Sequence, residues 1–303
     1  MLRGTLLYLS RQRRLRGWME TSPVAARLTR RFIAGLTLEQ ALAVCRKLQA
    51  ERIVTTLDHL GESVTSLAEA AASRDAYLMA MERIAAGNLP STVSIKPTQF
   101  GMELSEEICR ANVEQVVAAA QRAGTRVEVD MEASPYADRT LRLVRALHGR
   151  YGSVRGVIQA YLRRSEADLE ALCREGIPVR LCKGAYLEPD SVAFPKKSDV
   201  DRNYLRLARM LMERGFDPAI ATHDPRMVDG ALQAACDAGL GLDKFEFQML
   251  YGIRRDLQNC LTAAGFRLRL YVPYGSAWYP YFMRRLAERP ANLLFLARNF
   301  FRH

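Results

Sequence analysis

Long apolar runs are missing from this chain. No segment approaches the roughly 20 consecutive apolar residues of a membrane-spanning helix. The opening stretch MLRGTLLYLSRQRRLRGWM has an apolar patch too short and too interrupted for a secretory signal, so a cytoplasmic location is expected. Cysteine is sparse and scattered, at Cys45, Cys109, Cys173, Cys182, Cys236 and Cys260, with no CxxC pair. That pattern favours reduced thiols, several of them small buried hydrophobes on helical faces, over a disulfide frame. No histidine sits in a Cys/His/carboxylate set with metal spacing, so no metal is expected. The GxGxxG and Walker A phosphate loops are absent, as is a Gly-x-Ser-x-Gly elbow for acyl transfer. Zinc-finger spacing, RNP aromatics and zipper heptads are absent too, which removes the usual grounds for a nucleic-acid partner.

What is present is a globular balance. The chain has 303 residues, 49% apolar and 25% charged, enough for one large domain. Its formal net charge is +11. Basic residues gather at the two ends, from Arg3, Arg11, Arg13, Arg14 and Arg16 to Arg289, Arg298 and Arg302. A solvated surface, weak attraction to an anionic membrane, or an anionic ligand would each account for them.

After a leading helical region near 22–50, short β-branched runs alternate with amphipathic stretches. The strand readings are 53–58, 92–96, 126–131, 154–160, 178–182, 218–222, 244–249 and 268–272. The helical readings that follow them are 62–86, 103–123, 138–150, 165–175, 198–214, 225–238, 254–264 and 277–289. Gly87, Gly124, Gly176, Gly215, Gly239 and Gly265 stand where helix gives way to strand, the left-handed cap position. Strand–helix alternation implies parallel strands with right-handed crossovers, and eight such units close into a barrel. The expected fold is therefore α/β, a (βα)8 TIM-like barrel over 51–303, with N-terminal helices in 1–50 and a C-terminal lid helix. A doubly wound open sheet, the rival, would be marked by a glycine fingerprint after its first strand.

In such a barrel the active site lies at the C-terminal ends of the strands. There stand Lys96, Asp130, Gln159, Arg180, Lys183, Thr222, His223 and Gln248. Asp130 is the only acid among them, so the mouth is read as cationic and suited to an anionic ligand. On the last helix, Tyr281, Arg284, Arg285 and Glu288 share one face. The arginine pair there suits a small carboxylate, or a surface pairing with Glu288. Lys96 and Lys183 are candidates for a Schiff base. Asp130 is a general base, an orienting group or a loop cap, and His223 a ligand donor or a structural histidine. Tyr77, Tyr136 and Tyr151 are read as packing. Composition and spacing do not name the reaction.

Seven segments do more. SIKPTQF (94–100), VDME (129–132), IQAYLRRSEADL (158–169), VRLCKGAY (179–186), IATHDP (220–225), FEFQMLYG (245–252) and YVPYGSAWYPYFMRRLAER (271–289) closely resemble, in order, the motif set of proline dehydrogenases. The resemblance covers roughly residues 50–295. It implies a distorted (βα)8 barrel with FAD at the strand ends. It implies oxidation of L-proline to Δ1-pyrroline-5-carboxylate by hydride transfer from Cδ to flavin N5, with electrons passed to membrane quinone. FAD would be held by Gln159, Lys183, Gly184, Ala185, Tyr186, Thr222 and His223, by the Met131 backbone, and by Arg180 near N5. The proline carboxylate would meet Lys96, Arg284 and Arg285, and Tyr186, Leu250 and Tyr281 would pack its ring. Asp130 and Arg180 would act in catalysis, Asp130 by ordering the pocket and handling the amine proton. An intact Tyr281 implies preference for proline over its hydroxylated analogue. Cys182, Leu187 and Asp224 depart from the Val, Trp and Asn frequent in relatives. With no aldehyde dehydrogenase module, the product would need a separate dehydrogenase, and the basic ends with the RNFFRH tail would allow transient membrane contact. Two other classes stay open against this reading: a lysine-dependent barrel lyase or aldolase, and a basic nucleic-acid-binding barrel.

Overall fold

The computed structural model describes Gln12, residues 32–279 and residues 281–283. Parallel strands β1 (Val54–His59), β2 (Ser91–Ile95), β3 (Val127–Val129), β4 (Val154–Gln159), β5 (Val179–Cys182), β6 (Ala219–Ala221), β7 (Glu246–Leu250) and β8 (Leu268–Tyr274) form a closed barrel. Closure is made by β8 returning to β1 in register from Val54↔Arg269 to His59↔Tyr274. Around it run α1 (Leu38–Ala50), α2 (Leu67–Ala86), α3 (Glu106–Arg122), α4 (Ala137–Tyr151), α5 (Ser165–Arg174), α6 (Lys197–Arg214), α7 (Pro225–Asp237) and α8 (Arg255–Ala263). The expected barrel is the fold observed.

Local chemistry explains where the helices begin. Thr37, Ser66, Ser105 and Asp224 lie in extended backbone, and each side chain accepts a hydrogen bond from a backbone N–H of the first turn. At the other ends, Gly124, Gly176, Gly239 and Gly265 take positive φ, as expected of left-handed caps. Gly87 and Gly215 do not. Gly87 stays helical at φ −86 and passes the left-handed turn to Asn88, while Gly215 is extended and Asp217 takes positive φ instead. Asparagine and aspartate tolerate that region because their short polar side chains bond locally.

The helices bury one face against the barrel. Cys109, Val113, Val116, Val117 and Ala120 of α3 repeat every three or four residues. The N-terminal segment joins the same core through Ala34, Leu38, Ala41, Leu42, Cys45 and Leu48. Cys236 and Cys260, in contrast to Cys45 and Cys109, are exposed. A second apolar cluster unites Phe32, Ile33, Leu60 and Ile253 with Trp278, Tyr279, Tyr281, Phe282 and Met283, the described start of the expected lid helix. Arg284, Arg285 and Glu288 lie outside the described residues, as does most of 1–31. Among the described residues no helix is long and apolar enough to cross a membrane.

Candidate active site

The barrel interior is unusual for its class. Barrels of this kind are ordinarily filled by branched apolar side chains. Here β3 sends Val127 and Val129 into the apolar core, while the alternate residues Glu128 and Asp130 join buried ion pairs. The same period of two sets Glu246 and Gln248 of β7, Arg269 and Tyr271 of β8, and Thr92 and Ser94 of β2 in one polar network. Arg155, Glu128 and Glu246 are all 0% exposed. Buried charges persist only when paired, and these are: Arg155 Nη1 lies 2.5 Å from Glu246 and 3.3 Å from Glu128.

At the upper end of this network sits a compact ion cluster. Arg180 Nη1 donates to Glu128 at 2.9 Å, and its Nη2 donates to Asp130. Asp130 also accepts from Ser94 Oγ at 2.8 Å and Tyr271 Oη at 3.0 Å. Lys96 Nζ donates to Asp58 at 3.1 Å and to Tyr271 Oη at 3.3 Å, and forms an ion pair with Asp130 at 3.3 Å. Burial opposes charge on Lys96, but Asp58 and Asp130 outweigh it and hold its pKa well above the lysine range. Burial likewise favours a neutral Asp130, yet Arg180 and Lys96 hold it below its ordinary value. Burial, reinforced by Asp130 and Asp58, keeps Tyr271 protonated as a donor.

The reading of a cationic mouth opposed by Asp130 alone is thus corrected. Asp58 and Glu128 neutralise Lys96 and Arg180, and Asp201 and Asp224 flank Lys183 Nζ at 2.5 and 3.1 Å. The physical reason is that a buried cation needs a partner carboxylate. Asp58, Glu128 and Tyr271 were the site residues missed. For Glu128 and Tyr271 the signal was strict alternation of polar residues in VEVD and LRLY, repeated in FEFQM, in parallel strands that ordinarily read as continuous apolar runs; Asp58 carried no such signal.

Above the cluster opens a cavity of ≈ 450 Å³, within the range of small-molecule sites. Its walls include Lys96, Asp130, Met131, Gln159 and Arg180, the segment Lys183–Tyr186, Thr222 and His223, and Leu250 and Tyr281. Every described residue named above as a cofactor or substrate contact therefore faces one space. Gln159 Nε2 donates to the carbonyls of Met131 and Glu132, and its Oε1 is buried without a hydrogen-bond partner among the described residues. Leu250 N–H donates to His223 Nε2 at 2.8 Å. That contact places the imidazole proton on Nδ1 and leaves that nitrogen the donor, so His223 is both structural and a candidate ligand donor. Tyr77 is fully buried, its hydroxyl donating to Ser94 O at 2.7 Å.

Glu132 gives the site a pH signature. Its carboxylate receives Thr98 N–H at 2.9 Å and Thr98 Oγ–H at 2.6 Å, bracing the turn after Lys96. Burial raises its pKa from 4.5 to about 7 against those bonds. A folded-state pKa above the unfolded one means proton uptake on folding, so stability falls as pH rises from 4.5 to 7 and stays reduced above it. The penalty is about 3 kcal/mol at neutral to alkaline pH. Glu132→Gln is expected to be more stable than the parent at about pH 8, with the difference gone at about pH 4. Urea unfolding at both pH values checks this; a variant equally destabilised at both contradicts it.

A (βα)8 barrel with an ion cluster and ligand cavity at its strand ends defines an enzyme class by architecture, not by substrate. The proline dehydrogenase family model matches residues 41–298. Proline dehydrogenase 2 of Bacillus subtilis is 40% identical over 265 residues, 88% of each chain. Proline dehydrogenase of Deinococcus radiodurans is 41% identical over 276 residues, 89% of each. Among solved structures, proline utilization A from Bdellovibrio bacteriovorus, inactivated by N-propargylglycine, superposes with TM-score 0.82 at 26% identity, covering 87% of this chain. This chain spans 33% of that longer protein. The chain belongs to the proline dehydrogenase family.

Proposed function

We propose that this enzyme oxidises L-proline to Δ1-pyrroline-5-carboxylate with FAD, passes the electrons to a membrane quinone, and leaves its product to a separate dehydrogenase. The carrying observation is the convergence of Lys96, Asp130 and Arg180 with four further strand ends on one cavity. The cavity walls fit the cofactor: Gln159 Oε1 awaits a donor, and Gly184 brings the backbone close to Tyr161 at φ +108. Gln159, the Met131 backbone, Lys183–Tyr186, Thr222 and His223 would hold FAD, which supplies a two-electron acceptor for hydride. Lys96, Arg284 and Arg285 would bind the substrate carboxylate. Leu250 already packs on the Tyr281 cluster, and with Tyr186 these side chains would enclose the ring. The low pKa of Asp130 makes it a weak proton acceptor and suits it to orienting Arg180 and Lys96. Residues 51–303 would form the catalytic unit, cytoplasmic, with the basic ends giving transient membrane contact.

The lysine-lyase reading loses ground at Lys96. A Schiff base needs a neutral amine, and Asp58 and Asp130 hold this one charged. Gly184→Ala provides one check on the cofactor reading. A Cβ there would lie 2.1–2.7 Å from three Tyr161 ring carbons, in a backbone region that side chains resist. FAD affinity is expected to fall about tenfold or more, read by flavin fluorescence titration. The reading as a whole is tested by loading purified protein with FAD and adding L-proline without oxygen. Bleaching of the bound flavin supports it; a protein that binds no flavin, or binds one that proline leaves oxidised, contradicts it.

A further inference from the structure

The guanidinium of Arg180 carries five N–H donors. Nη1 donates to Glu128 Oε2 at 2.9 Å and Gln248 Oε1 at 3.4 Å, and Nη2 to Asp130 and to Ser94 Oγ at 3.4 Å. Among the described residues no acceptor engages Nε. Four donors are committed to the protein, and Nε–H is the one left for a ligand in the cavity that Arg180 lines. Asp130 reaches Arg180 from the cavity side. Glu128 reaches it from below: it lies within β3, two residues before Asp130 at the strand's end, is 0% exposed, and is not part of the cavity wall. Glu128 is itself fixed. Its Oε1 accepts from Gln248 Nε2 at 3.1 Å and Arg155 Nη1 at 3.3 Å, and Arg155 is anchored by Glu246. A carboxylate so deep in a barrel is an expensive way to fill space, since apolar side chains of similar volume are often as stable or more so.

We propose that Glu128 is a positioning residue that acts through Arg180. From inside the barrel it locks the guanidinium so that only Nε–H is offered to the bound ligand. The Arg180–Glu128 bond and the Arg155–Glu246 brace behind it make the lock rigid. This inference rests on the flavin reading above.

The test uses the FAD-loaded protein. Glu128→Gln is expected to shift the visible spectrum of bound flavin and to slow its reduction by proline roughly 10–100-fold, with KM changed less than about threefold. Glu246→Gln is the comparison: that acid is equally buried in the same network but braces Glu128 only through Arg155 and does not touch Arg180, and its variant is expected to lose comparable thermal stability with a clearly smaller shift of the flavin spectrum than Glu128→Gln. In an Arg180→Gln background, Glu128→Gln is expected to add no further change, because the group it acts through is gone. Should Glu128→Gln not fold, Glu128→Asp keeps the charge and withdraws it by one methylene, and is expected to shift the spectrum in the same direction. Parent spectrum and rate in the folded Glu128 variant, or additive effects in the Arg180→Gln background, overturn the inference. A parent protein that binds no FAD, or is not reduced by proline, overturns the underlying function instead.

Discussion

Arg180→Met is expected to lower the rate of proline-driven flavin reduction by about 10²–10³-fold. The residue brings charge to the cavity floor, and that charge is fixed in place before any ligand arrives. A preorganised donor in a site shielded from water is worth far more than the same donor in solvent, because nothing has to reorient as charge develops. The substitution also strands two carboxylates. Glu128 and Asp130 would lose a shared cation, and breaking a buried pair typically costs about 3–5 kcal/mol. Thermal stability is therefore expected to fall along with the rate. Arg180→Lys separates the two effects. A lysine restores positive charge between the carboxylates but has no planar fork to span them, so stability is expected to recover more than the rate. Rapid-mixing reduction and thermal melts on the same preparations check both. A rate within tenfold of the parent in Arg180→Met would show that the guanidinium is not placed to act.

Asp130→Asn is the second substitution with a large expected effect. Asp130 accepts from Arg180, Ser94 and Tyr271 and faces Lys96, so its environment consists of donors and cations. An amide keeps the shape but turns an NH2 toward Arg180 or Lys96, cations that can only donate. The expected result is a loss of about 10²-fold in kcat/KM, with both kcat and KM affected because Arg180 and Lys96 lose their common anchor. A stability signature accompanies it. The folded pKa of Asp130 lies below its ordinary 3.8, so the pair contributes fully above that value and is lost as pH falls through the folded one. The variant lacks this contribution at neutral pH, and the gap from the parent narrows in acid. A gap that stays constant from neutral pH to about pH 2 would assign Asp130 a merely steric role.

The architecture was legible because its signals are local and repeated. Eight β-branched runs, each followed by an amphipathic stretch, leave few alternatives once right-handed crossovers are required. Strand-end residues such as Lys96, Asp130, Gln159 and Arg180 could be located from that pattern alone, and the cavity gathers them. Charge balance was not legible in the same way. Asp58 sits inside VTTLDH, where it reads as the end of a strand, and its partnership with Lys96 spans 38 residues. Tyr271 meets Asp130 across 141 residues. Such pairings depend on barrel register, which spacing along one strand does not specify. The cap at Gly87 failed for a smaller reason: Asn88 competes for the left-handed position and takes it.

Both leading predictions assume that flavin and amino acid share one cavity above the Arg180–Asp130–Lys96 cluster. The most direct measurement is a crystal structure of the protein with FAD and a non-oxidisable proline analogue. The account predicts the flavin ring against Gln159, Arg180 and Lys183–Tyr186, with the analogue between it and Lys96, Leu250 and Tyr281. Flavin bound elsewhere on the chain, or an analogue whose carboxylate points away from Lys96 toward solvent, would contradict it.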